Sequence, residues 1–200
     1  MKNIFIIEDH PIVMESLSAF FSDSGRWKVL GASSSLAAAK EKISKLSAQD
    51  IDVLLLDIQL EDGWGLDIIS WMKEQKMKMP LIAVYTAFDD YGHVSTAMSL
   101  GVKAYITKRH NKQELEDAIH NALSGIVCID ETAQMKLNAV TNYSAMLTKR
   151  EAEILTLVKT GLSNKEIASK LNISFRTVGN ILSCVYDKTG IRSRQKLERL

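Results

Sequence analysis

Short apolar runs and longer amphipathic stretches alternate along the first 125 residues, as in strands joined by crossover helices. Strands are predicted near 3–8, 27–33, 53–57, 80–86 and 104–108, and helices near 11–23, 35–47, 65–75, 90–101 and 111–124. Five βα repeats make a five-stranded parallel sheet, doubly wound and covered on both faces, an α/β domain. The run Val53-Leu54-Leu55-Leu56 is apolar without alternation, as a strand buried on both sides must be.

Residues 126–146 begin apolar, pass through a short helix expected over 130–140 and end in polar Thr141-Asn142-Tyr143-Ser144. They read as a linker. From Leu147 the periodicity is helical throughout. Thr148-Lys149-Arg150-Glu151 and Ser163-Asn164-Lys165-Glu166 fit the capping-box pattern that satisfies the free amides opening a helix. Gly161 and Gly190 suit helix C-termini. Helices are expected over 149–160, 164–171 and 175–188, with a last one from Ser193. Only Asn172-Ile173-Ser174 separates the second from the third, the short turn of a helix-turn-helix. The organisation is an α/β domain over 1–125, a linker over 126–146 and an all-α domain over 147–200.

Charge divides along the same line. Residues 147–200 carry 11 Lys/Arg against 5 Asp/Glu, a net +6, and residues 1–146 carry 14 against 19, a net −5. A compact basic domain points to a polyanion. The start of the chain lacks the form of a signal peptide, and no apolar run approaches the ~20 residues of a membrane span, so the cytoplasm is expected. Two cysteines and four scattered histidines indicate neither a disulfide framework nor a zinc site.

Four predicted strands end at residues that can hold and react with a phosphate: Glu8 and Asp9, Asp57, Thr86, and Lys108 just beyond Tyr105. Open α/β sheets bind ligands at the carboxyl ends of their strands. Phosphoryl transfer to a carboxylate needs a nucleophilic oxygen, a hard cation and donors for the remaining oxygens. Asp57 at the end of the central strand is the acceptor on this reading. Glu8, Asp9 and Asp57 offer oxygen ligands suited to Mg²⁺, while Thr86 and Lys108 supply donors. Any one of these is ordinary where a strand meets solvent; adjacent acids facing a third make sense when a divalent cation is their partner.

With these strand contexts, Glu8-Asp9, Asp57, Thr86, Tyr105 and Lys108 resemble the receiver domain of two-component response regulators. The resemblance implies that a histidine kinase phosphorylates Asp57, that Glu8, Asp9 and the backbone carbonyl of Gln59 help hold Mg²⁺, and that Thr86 and Tyr105 form a switch. Many receivers carry Pro after the acceptor loop and after the lysine, where this chain has Glu61 and Arg109.

The helical domain resembles the LuxR-type helix-turn-helix through Leu147-Thr148-Lys149-Arg150-Glu151, Gly161–Ala168, Ile173-Ser174 and Thr177-Val178. The whole chain is thus similar to NarL/FixJ-family response regulators, transcription factors that dimerise when phosphorylated. The third helix would read the major groove of double-stranded DNA. Val178, Ile181, Leu182 and Val185 share its inward face, which turns Arg176, Asn180, Ser183, Cys184 and Asp187 outward, with Gly179 and Lys188 on the flanks and Thr177 a further candidate contact. Asn164 and Lys165 open the second helix, where amides and a cation suit a phosphate. The family usually has Lys and His where Gly179 and Ile181 stand. A protein-interaction role for the helical domain is the alternative, marked by absence of salt-dependent DNA binding. Aspartyl phosphatases on similar sheets share a second Asp two residues after the nucleophile; Gln59 is there, so the chain is not read as an enzyme.

Overall fold

The computed structural model describes residues 1–46, 51–191 and 193–198. They form two compact units, Met1–Gln134 and Met135–Leu200. The first opens with β1 (Lys2–Ile7), α1 (Pro11–Asp23), β2 (Trp27–Ser33), α2 (Leu36–Lys45) and β3 (Val53–Leu56). A two-residue-per-strand hairpin follows, β4 (Gln59–Leu60) and β5 (Gly63–Trp64), then α3 (Asp67–Glu74) and β6 (Leu81–Thr86). The unit continues through α4 (Tyr91–Leu100), β7 (Ala104–Thr107), α5 (Lys112–Leu123), β8 (Cys128–Ile129) and the start of α6 (Glu131–Met146). The expected end of the second helix at 47 lies outside the described residues.

The main sheet is parallel in the order β2-β1-β3-β6-β7-β8. It has six strands where five are predicted. The extra one comes from the stretch read as linker: Cys128 donates its amide to Lys103 O at 2.9 Å and Asp130 to Tyr105 O at 2.8 Å. Two residues of pairing carry too little alternation to register as a strand in sequence. The helix after it runs to Met146 instead of ending near 140.

Val53 to Leu56 are all buried, as are Ile4 to Ile7 in the neighbouring strand. At ~25 cal/mol per Å² of apolar surface, these two strands anchor the domain. The chain leaves β1 for β2 on one side and returns to β3 on the other. That reversal is the topological switch point, where a crevice opens beyond the strand ends.

In the second unit α7 (Lys149–Lys159), α8 (Asn164–Leu171), α9 (Phe175–Thr189) and α10 (Arg194–Glu198) enclose Ile154, Val158, Ile167, Val178, Leu182, Val185 and Leu197. Both predicted capping boxes form: Thr148 and Ser163 accept from the amides of Glu151 and Glu166, whose carboxylates reach back. Asn172 takes the left-handed conformation at φ 52° between α8 and α9, which Asn tolerates better than most residues.

Candidate functional site

β1, β3, β6 and β7 bring Glu8, Asp9, Asp57, Thr86 and Lys108 to one end of the sheet. Lys108 Nζ lies 2.6 Å from Asp57 Oδ2 and 2.7 Å from Glu8 Oε2. Burial alone would lower the Lys108 pKa, but hydrogen bonds from its ammonium to Asp57 and Glu8 outweigh that and hold it above the usual range. The other Asp57 oxygen accepts the Ile58 amide at 2.6 Å. Glu8 and Asp57 are buried, so a low local dielectric strengthens these contacts.

Among the described residues, Glu8, Asp9, His10 and Asp57 converge with one potential ligand atom each, all within 4.8 Å of one another. Asp9 Oδ1 is buried without a hydrogen-bond partner. His10 Nδ1 is 2.9 Å from it but belongs to a largely exposed ring and lacks hydrogen-bond alignment. A buried carboxylate oxygen left unsatisfied is costly, and a hard cation with oxygen ligands removes that cost. Gln59 lines the same crevice with Leu60, Glu61 and Phe88.

Thr86 and Tyr105 are both fully buried. Tyr105 donates its hydroxyl to Phe88 O at 2.9 Å, and burial pushes its phenol far above the ordinary range. Phe88 stacks on His93, ring centroids 4.6 Å apart, and His93 stacks on Trp64 at 4.9 Å. Three rings from the β6–α4 loop, α4 and the hairpin are thereby stacked in series, and the first of them, Phe88, lines the crevice with Asp57.

In the helical unit Arg176, Asn180, Ser183 and Cys184 are exposed along α9, and Lys165 is exposed on α8. The structure gives the other nominated residues local partners. Lys188 pairs with Glu151 at 2.7 Å, holding that carboxyl below its usual range. Asn164 Oδ1 accepts from Arg194 at 2.7 Å, and the Thr177 and Ser174 hydroxyls share a hydrogen bond at 2.8 Å.

A model of the response regulator receiver domain matches residues 4–120, more than half the chain. The chain belongs to the response regulators. A second model, that of bacterial regulatory proteins of the luxR family, matches residues 145–200 of the regulator. The response regulator protein VraR of Staphylococcus aureus (strain Mu3 / ATCC 700698) is 28% identical over 195 residues, covering 96% of this regulator and 91% of VraR. RcsB from Salmonella enterica serovar Typhimurium, solved bound to the promoter rprA with a phosphomimetic beryllium fluoride, is 25% identical with a TM-score of 0.72, covering 99% and 96% of the two chains. The response regulator ChrA of a heme-sensing two-component system is 26% identical with a TM-score of 0.53, covering 98% and 94%. No helix among the described residues of the regulator is long and apolar enough to cross a membrane.

Three residues that shape the regulator's acceptor end escape sequence reasoning. A Cβ on Gly65 would fall 1.9 Å from Asp57 O, so only glycine lets the hairpin close behind Asp57. Asp62 caps α2 from a distance, accepting the amides of Leu36 at 2.8 Å and Ala37 at 3.0 Å, which anchors a loop lacking the usual proline. Asp130 is buried and accepts from Thr107 at 2.6 Å and from Thr132 and Ala133, with His110 Nε2 at 2.7 Å. Arg109, also at a usual proline position, pairs with Asp89 at 2.9 Å and donates to Thr132. A glycine after an acceptor and an acid before a helical run are faint signals, common where nothing depends on them.

Proposed function

We propose that Asp57 accepts a phosphoryl group from a sensor histidine kinase, and that the modified chain dimerises and binds operator DNA to regulate transcription. The observation that carries this reading is the Lys108 ammonium shared by Asp57 and Glu8 beside Asp9 Oδ1, buried without a hydrogen bond. Glu8, Asp9 and Asp57, with the Gln59 main-chain carbonyl, would hold Mg²⁺, which when bound neutralises phosphoryl oxygens. A carboxylate oxygen of Asp57 attacks phosphorus, the bond to the donor histidine nitrogen breaks, and that nitrogen keeps the electron pair. Lys108 then follows the negative charge onto the phosphoryl group, and the Thr86 hydroxyl donates to another of its oxygens. Withdrawal of Thr86 toward the acceptor changes the space behind it, where Tyr105 turns. The chain is the acceptor of this transfer.

The receiver would extend over 1–125, the linker over 126–146 and the DNA-binding domain over 147–200, working in the cytoplasm. RcsB bound to a promoter supports placing α9 in the major groove. Arg176, Asn180, Ser183 and Cys184 would face base edges, and Asn164, Lys165, Thr177 and Lys188 the sugar-phosphate backbone. One short helix supplies few contacts, so two copies would bind half-sites about one duplex turn apart, ~34–36 Å.

Incubation with a small phosphodonor and Mg²⁺ should add one phosphate by mass, with salt-sensitive DNA binding and a shift to dimer in sedimentation. Asp57→Asn should abolish all three changes. Uptake of label by Asp57→Asn at the wild-type rate would overturn the assignment. Gly179 and the engagement of Lys188 by Glu151 favour a second reading, in which the helical domain contacts protein; binding to duplex that is absent even at low salt would select it.

A further inference from the structure

Phe175 is the first residue of α9, and its side chain is left in water: the residue is 61% exposed. Among the described residues of α7 to α10 it is the exposed large hydrophobic. The core of the domain already has Val178, Leu182 and Val185 from the same helix, so the phenyl ring is not a core residue out of place. Ser174 caps the helix by accepting the Thr177 amide at 3.0 Å, which fixes the ring at the leading end of the reader.

Residues four apart share one strip of a helix, and the next position on the Phe175 strip is Gly179. A Cβ built there would meet nothing within 4 Å. The strip is therefore a ring followed by bare backbone, apolar and uncharged, bordered on one side by exposed Arg176 and Asn180 and on the other by buried Val178 and Leu182. The leading residues of a recognition helix lie against base edges. In the major groove the protruding apolar group on those edges is the C5-methyl of thymine, and side chains such as Phe are its partners.

We infer that Phe175, with the open strip over Gly179, reads thymine methyl groups and gives this regulator a preference for T at one or two positions of each half-site. The inference rests on the DNA-binding reading above. It also gives the missing lysine a consequence: a cation at 179 would add a phosphate contact and fill the space beside the methyl. The net +6 of residues 147–200 complements the duplex, and exposed Arg176 stands next to Phe175 in the chain.

The test uses the full chain, phosphorylated with a small phosphodonor and Mg²⁺, to select duplexes from a random pool. Each thymine of the selected site is then replaced singly by deoxyuridine, which removes the methyl and leaves every hydrogen-bonding atom. The wild type should lose about fourfold in affinity at one or two positions, the equivalent of one buried methyl. Phe175→Ala should bind the parent site more weakly and no longer distinguish T from U there. Its salt slope should be unchanged because no charge is removed, and its circular dichroism should match the wild type because the ring is outside the core. Equal binding of T and U duplexes by the wild type at every position, or full discrimination retained by Phe175→Ala, overturns the inference while leaving DNA binding intact. Failure to enrich any duplex at low salt overturns the DNA-binding reading and this inference with it.

Discussion

Substituting Gly65 by alanine should damage both stability and phosphorylation, although alanine is normally the safer residue. Where the backbone can accept it, Gly→Ala stabilises by ~0.4–1 kcal/mol through the unfolded chain. Gly65 has no positive φ, so backbone strain does not decide the outcome; space does. The new Cβ would sit 1.9 Å from Asp57 O, and reaching the 3.4 Å of ordinary contact requires 3.4 minus 1.9, about 1.5 Å, of separation. The obstructing atom is backbone of Asp57 itself. The Gly65 amide is also bonded to Ile58 O at 2.6 Å, so moving the hairpin away breaks that bond, worth ~1 kcal/mol.

Overpacking costs ~1–3 kcal/mol and the lost bond adds to it, against at most ~1 kcal/mol gained from entropy. Net destabilisation of roughly 1–3.5 kcal/mol follows. Since a misplacement of ~1 Å at a reacting group can cost ~10²-fold in rate, phosphate uptake should fall by at least tenfold. All three tryptophans, Trp27, Trp64 and Trp71, lie in the receiver, so urea unfolding followed by tryptophan fluorescence reports this domain. Uptake from a small phosphodonor is read by mass. Gly179→Ala, on an open helix surface, is the opposite case and should stabilise its domain by up to ~1 kcal/mol. A Gly65→Ala variant as stable and as readily phosphorylated as wild type would refute the reasoning.

Phe88 stands two places after Thr86 and lines the crevice, stacked on His93, where its ring would obstruct water in line with a phosphoryl group on Asp57; Phe88→Ala should lose aspartyl phosphate several-fold faster, and a slower or unchanged loss would sink the idea. Burial by itself would raise the pKa of Asp130, but hydrogen bonds from Thr107, Thr132, the Ala133 amide and His110 overcome it and depress the group below 3.8. A depressed carboxyl stabilises the fold fully above its unfolded value, and that contribution drains away as pH falls below about 3.8 toward the folded value. Asp130→Asn should therefore be less stable at neutral pH and show a shallower acid decline; a parallel pH profile for the two proteins would contradict this. Gly179→Lys should tighten binding to unrelated duplexes and steepen log K against log salt by about one unit, at the expense of any discrimination at thymine.

The alternation of apolar runs and amphipathic stretches was enough to place the five longer strands, the helices between them and the helix-turn-helix, because burial on two faces or one leaves different periods in a chain. Glu8, Asp9, Asp57, Thr86 and Lys108 were legible for the same reason: each ends a strand, and parallel strands bring their carboxyl ends together whatever the loops do. The capping boxes at Thr148 and Ser163 were equally plain, since helix-end bonding is satisfied within four residues. Contacts spanning larger separations were not. The pairing of Cys128 and Ile129 with β7 is too short to leave a pattern, the Asp62 cap crosses 26 residues to Leu36, and the demand for glycine at 65 comes from a carbonyl that only the folded hairpin brings near. Likewise, the outward positions of α9 followed from 100° per residue. That Lys188 is held by Glu151, and that Phe175 is left in water at the leading end of α9, depended on how the other helices pack, information that no local stretch of the chain contains.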